Sequence, residues 1–202
     1  MNSSFTIAQQ PEEVGRLVAV DLDETLIVVN SFPLLVRMLP VALLRSGHPV
    51  KVFSLGGALV RRKVLRGSHA SLKSVVCRLT ADVPEGQLRR WASRVLAQHG
   101  DPIVVQMVTN WDGPRLLTSA APQIAVEHFA ALIGFSSAHG SRSGADGFVE
   151  NVGSEKTRRM NEEAVTRPAL AISDDPVLDR PLLSLADRAL VVSGDRSFTA
   201  FQ

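Results

Sequence analysis

The amino-acid sequence predicts an α/β fold: a parallel sheet covered by helices, with a helical insertion directly after the first strand. Three observations carry that prediction. Four near-continuous apolar runs have strand length, helical patterns lie between them, and one interval is much longer than a crossover needs. A chain of 202 residues that is 45% hydrophobic and 21% charged has the apolar material for one domain with a sizeable core.

The first run, "RLVAVDL" (16–22), is apolar without alternation, the pattern of a strand buried on both faces. The second, "PRLLTSA" (114–120), is entered through the turn "WDG". "PALAISDD" (168–175) and "RALVVSG" (188–194) are the third and fourth. Between them "APQIAVEHFAALIG" (121–134) reads as a helix ending on Gly134, and "GSEKTRRMNEEAV" (153–165) and "VLDRPLLSLA" (177–186) read as two more. "FSSAHGSRSGADGFVENV" (135–152) is rich in turn residues and is expected to hold short, irregular strands.

A β-α-β crossover takes roughly 30 residues, yet about 90 separate Leu22 from Leu116. The excess carries helical patterns over 31–46, 53–67, 69–80 and 84–100, the first expected to kink or divide at Pro40. The expected organisation is a core of residues 1–29 and 101–202 and a helical cap of residues 30–100. The net charge of +2 conceals an asymmetry, because residues 30–100 hold twelve basic residues and two acidic ones. The rest of the chain is acidic.

One cysteine, Cys77, excludes an internal disulfide framework and a cysteine zinc cluster, and its helical apolar surroundings make it a core residue. The five histidines show no paired ligand spacing, and Trp91 and Trp111 read as packing residues. The amino terminus lacks the basic start and apolar core of a signal peptide, and no apolar stretch reaches about 18 residues. A cytoplasmic protein without a membrane span is expected.

In open parallel sheets, ligands bind beyond the carboxyl ends of the strands. There the sequence places Asp21 and Asp23, Thr118 and Ser119, and Asp174 and Asp175 with Asp179 four residues on; Lys156 opens a helix after Gly153. Crowded carboxylates repel one another and persist best around a cation, and hard oxygen donors suit Mg²⁺. One carboxylate can attack phosphorus while a second, two residues away, protonates the leaving oxygen. Hydroxyl and ammonium groups stabilise charge on the transferred oxygens. Simpler roles compete: Thr118 and Ser119 suit a helix N-cap, the three later aspartates suit the start of the next helix, and Lys156 beside Arg158 and Arg159 suits solvent.

Together these segments resemble the motifs of the haloacid-dehalogenase (HAD) superfamily. "DLDET" (21–25) is similar to its D-x-D-x-T motif, "LLTSA" (116–120) to its second, "GSEK" (153–156) to its lysine motif and "DDPVLDRPLL" (174–183) to its acidic fourth. Their order, with an insertion between the first and second, resembles the phosphoserine-phosphatase-like branch with a helical cap, over about residues 17–194. The resemblance implies a Rossmann-like core with a parallel sheet. It implies Asp21 as nucleophile and Mg²⁺ ligand, and Asp23 as general acid/base that also ligates the metal through its carbonyl. Thr118, with Ser119 beside it, would bind the phosphoryl oxygens, and Lys156 would hold Asp21 and that charge. Asp175 would complete the metal site with support from Asp179; Asp174 competes for this place, and Asp175 is preferred for its spacing to Asp179.

The chain departs from the phosphoserine phosphatases where they carry a glutamate that recognises the substrate ammonium, since Asn30 stands there. Their cap arginine is replaced, on a loose alignment, by Lys73, which lacks the bidentate fork. Glu24 takes the place of the commoner glycine in the first motif. Phosphoserine itself is therefore disfavoured. The expected function is a Mg²⁺-dependent phosphatase hydrolysing a small organic phosphomonoester through an aspartyl-phosphate, with Asn30 and Lys73 facing the substrate. The cap's arginines suggest an extended anionic substrate, acidic partners or solvated helix faces, and its apolar content suggests an amphiphilic phosphate. The alternatives are a phosphotransferase or mutase of the same superfamily, or a non-catalytic module that binds anionic partners through the basic cap. No specific nucleic acid is expected.

Overall fold

The computed structural model describes residues 9–64, 69–144, 147–162 and 167–202. Seven strands form one sheet: β1 (Val18–Val20), β2 (Arg115–Pro122), β3 (Ser137–Gly144), β4 (Gly147–Val149), β5 (Leu170–Ser173), β6 (Arg188–Val192) and β7 (Phe198–Ala200). Their order across the sheet is β4-β3-β2-β1-β5-β6-β7. The five inner strands run parallel, and β4 and β7 close the edges in antiparallel pairs. β1 therefore lies at the centre with β2 and β5 on either side. Its three residues have no exposed surface, as an unbroken apolar run demands.

Among the described residues eight α-helices accompany the sheet: α1 (Ser31–Arg45), α2 (Pro49–Val64), α3 (His69–Thr80), α4 (Glu85–His99), α5 (Pro102–Thr109), α6 (Gln123–Ile133), α7 (Ser154–Glu162) and α8 (Arg180–Leu185). The first four fill the long interval after β1, where helices are expected. α6 ends as predicted: Gly134 takes a left-handed φ of 83° and donates its N–H to the Ala130 carbonyl at 2.9 Å. The tail of the helix expected over 153–165 and the end of that expected over 53–67 fall outside the described residues.

Three features differ from expectation. Pro40 does not divide α1, which continues through it. Leu35, Leu39, Ala42 and Leu43 form one buried face on both sides of the proline, and that packing outweighs the lost N–H. α5 was not predicted, although Asp101 caps it with hydrogen bonds of 2.9 Å from the N–H groups of Ile103 and Val104, and Pro102 opens it. β7 is three residues long, partly exposed and paired to β6, with no pattern of its own to reveal it.

Both faces of the sheet are covered. Leu17, Ala19, Leu116 and Ala171 pack on one side against Met160 of α7 and Leu182 and Leu183 of α8. On the other side a larger apolar cluster runs without a break from the sheet into α6 and on into α1, α3 and α4. Trp91 of α4 meets Phe129 of α6 edge to face, with ring centroids 5.4 Å apart. Among the described residues no helix is long and apolar enough to cross a membrane. Phe129 has no exposed surface, so Phe129→Ala is expected to destabilise the fold by about 3–5 kcal/mol. Urea denaturation followed by circular dichroism measures it.

Candidate active site

The sheet order decides what meets. β2, β1 and β5 are neighbours and parallel, so the residues that follow each of them emerge at one edge. Asp21 follows β1, and its N–H donates to the Ile172 carbonyl of β5 at 2.9 Å. Ser119 follows Thr118, the last residue of β2 paired with β3 before the register shifts, and Asp174 follows β5. A cleft of about 540 Å³ opens there, and Asp21, Asp23, Asn30, Lys73, Ser119, Lys156, Asp174, Asp175 and Asp179 all line it. Nearly the whole expected set is thus brought together.

Lys156, on the first turn of α7, is the anchor. Its Nζ donates to Asp21 Oδ1 and to Asp179 Oδ2, each at 2.6 Å, and Ser173 Oγ donates to the same Asp179 oxygen at 2.6 Å. Lys156, Asp21 and Asp179 are 2%, 6% and 4% exposed, so solvent screens these charges little. Burial works against the ammonium, yet the charges of Asp21 and Asp179 and their hydrogen bonds outweigh it and hold Lys156 above the usual lysine range. For Asp21, burial wins: it pushes the carboxyl up to about 8 against the pull of Lys156, and the charges of Asp179 and Asp23 add to the push. Asp21 Oδ2 accepts no hydrogen bond among the described residues.

Asp23 is set by the loop. Its Oδ1 accepts the N–H of Ser31 at 2.7 Å, which ties it to the start of α1, and burial raises its carboxyl against the hydrogen bonds of Ser31. Asn30 caps the same helix, its Oδ1 accepting from the Phe32 N–H at 2.9 Å. Glu24 has a φ of 57°, a left-handed conformation that suits glycine and costs other residues about 1 kcal/mol. Arg196, in the turn between β6 and β7, holds this loop from outside. It donates to the carbonyls of Glu24 at 2.6 Å and Thr25 at 2.8 Å and to Asp101 Oδ2 at 2.6 Å.

Two positions depart from expectation. Thr118 is fully buried beneath the cleft rather than lining it; its Oγ1 accepts from Asn151 Nδ2 at 3.0 Å. Ser119 is the hydroxyl residue that lines the cleft, because successive strand residues face opposite ways. Among the later aspartates, Asp175 Oδ1 is engaged by the N–H groups of Val177 at 2.9 Å and Leu178 at 2.8 Å. Asp174 Oδ1 accepts from Thr25 Oγ1 at 3.2 Å, and burial raises its carboxyl. Asp179 serves Lys156 and Ser173.

Four residues of this region had no signal in the sequence. Glu150 lines the cleft and pairs with Lys73 of α3, tying the inserted helices to the sheet edge. Asn151 also donates to the carbonyls of Ser119 and His139, at 3.1 and 3.0 Å, and so fixes the end of β2. Ser173 and Arg196 complete the set. None belongs to a spacing pattern, and each acts through an oxygen or carbonyl that only the fold brings near.

The carboxylates ring the cleft without converging: among the described residues no three metal-ligating side chains come close enough to share a cation. Their chemistry nonetheless suits one. Asp21 and Asp179 face a single ammonium, Asp23 and Asp174 stand close by, and burial and mutual repulsion raise three of these carboxyls. A hard divalent ion would supply the missing positive charge.

The fold is shared with solved structures, a HAD family hydrolase among them. A protein of unknown function from Bordetella pertussis Tohama I superposes with a TM-score of 0.61 at 17% identity, over 88% of this chain and 90% of that one. A phosphoserine phosphohydrolase-like protein from Francisella tularensis subsp. tularensis SCHU S4 gives 0.51 at 15%, over 87% and 86%. A HAD family hydrolase from Salmonella enterica subsp. enterica serovar Typhi gives 0.52 at 14%, over 88% of this chain and 62% of that chain. At these identities the likeness is one of fold. No protein-family model matches the chain, and no curated protein matches it.

Replacing Lys156 by Met is expected to destabilise the fold by about 3–5 kcal/mol, because buried carboxylates lose their counter-charge. Asp179→Asn in the same chain should recover part of the loss, as read from paired urea titrations.

Proposed function

We propose that this chain is a Mg²⁺-dependent phosphatase that hydrolyses a small organic phosphomonoester through an aspartyl-phosphate on Asp21. The observation that carries the reading is the setting of Asp21: a buried carboxylate on the cleft wall, with Oδ1 fixed by Lys156 and Oδ2 uncommitted. Residues 30–100 act as the cap over a core of residues 1–29 and 101–202.

In the first step Asp21 Oδ2 attacks phosphorus, and the bond to the ester oxygen breaks. Asp23, whose raised carboxyl suits a proton donor, protonates the leaving alcohol. In the second step the same carboxylate takes a proton from water, whose oxygen displaces Asp21 and releases inorganic phosphate. Lys156 holds Asp21 in place and faces the phosphoryl oxygens, and Ser119 supplies the hydroxyl donor to them in place of Thr118. Mg²⁺, when bound, neutralises phosphoryl charge and lowers repulsion between the ester and the carboxylates. Asp21, the carbonyl of Asp23 and Asp174 would hold it. Asp174 is preferred to Asp175 because two backbone N–H groups occupy Asp175, and Asp179 acts through Lys156. At the mouth, Asn30 and the Lys73–Glu150 pair meet the organic part of the substrate.

Asp21→Asn is expected to lower hydrolysis of p-nitrophenyl phosphate by roughly a thousandfold or more while the circular dichroism spectrum stays unchanged. Chelation by EDTA should abolish the wild-type activity and added Mg²⁺ restore it; full activity of Asp21→Asn would refute the assignment. Ser119→Ala should lower kcat/KM by about ten- to a hundredfold, whereas Thr118→Val should act mainly on stability. Parallel kinetics and melting curves separate the two positions.

A further inference from the structure

Between Thr25 and Ala81 the chain contains nine basic residues and no carboxylate. α2 is the most exposed helix of that segment. Of its described side chains only Leu55 is buried. A water-facing helix ordinarily turns a polar face outward. α2 instead exposes Val50 by 74%, Phe53 by 80%, Val60 by 58% and Val64 by 68%. With Gly57 they recur in steps of three and four, which at about 100° per residue forms one narrow stripe along the helix, opposite Leu55. Arg61, four residues after Gly57, is exposed at the edge of this stripe, whereas Arg62, seven residues after Leu55, is exposed on the opposite side.

We infer that this stripe seats the protein on an anionic lipid surface, Phe53 and the valines entering the acyl boundary while Arg61 at its edge meets the phosphates. Charge selects the occupant. A second copy would press the same carboxylate-free, basic helix against itself. An anionic bilayer satisfies the apolar stripe and the Arg61 guanidinium together. The surface is independent of the cleft, so the protein would be a peripheral membrane protein whatever its substrate.

Co-sedimentation of the full chain with vesicles tests it. The chain should sediment with mixed phosphatidylcholine–phosphatidylglycerol vesicles and stay in solution with phosphatidylcholine alone. Phe53→Ser with Val60→Ser should weaken that binding by roughly tenfold, and Arg61→Gln by roughly fivefold, both with unchanged circular dichroism spectra. No sedimentation with the mixed vesicles, equal binding to both kinds, or equal binding by the serine variant would overturn the inference. So would a wild-type dimer, seen by light scattering, that the serine variant dissolves, since a second copy would then cover the stripe.

Discussion

Lys156 sits between Asp21 and Asp179, and the geometry of the cleft depends on that contact. An ammonium removed from water is costly unless carboxylates surround it, and two buried carboxylates repel one another unless a cation lies between them. Each group therefore makes the other tolerable. The contact also joins parts of the chain that are far apart in sequence: the end of the central strand, the first turn of α7 and the residue that begins α8. Ser173 adds a third hydrogen bond and ties the group to β5. The sheet order matters chemically because it brings these segments within reach.

The fold was legible where burial is complete. β1, β2, β5 and β6 are covered on both faces, so their apolar runs stand out, and α6 carries its own stop signal in Gly134. β3 is different. Its "SAHGSRSG" has neither apolar continuity nor alternation, and pairing with β2 on one side and β4 on the other makes it a strand. α5 was missed although Asp101 and Pro102 mark its start. In the site, Asp21 and Asp23 were legible because two like charges at the end of a buried strand need a reason. Thr118 and Ser119 could not be told apart, since a strand buried on both faces shows no alternation. Glu150, Asn151 and Arg196 were illegible because their partners are carbonyls and side chains distant in sequence.

The inserted helices are joined to the sheet by contacts of two kinds. Trp91 and Phe129 interlock α4 with α6 through apolar surface, and Lys73 with Glu150 joins α3 to the sheet edge by charge at the mouth of the cleft. The first is not screened by salt. The second lies where a charged substrate would compete for either partner, so the cleft wall is weakest where a ligand would arrive.

Arg196 has a consequence for the order in which the molecule is built. The turn after β1 takes an unfavourable φ at Glu24, and the Arg196 guanidinium, from the turn between β6 and β7, binds its carbonyls. During synthesis the loop after β1 leaves the ribosome about 170 residues ahead of Arg196, the residue that braces it. That loop therefore reaches its braced form only after the turn between β6 and β7 has emerged.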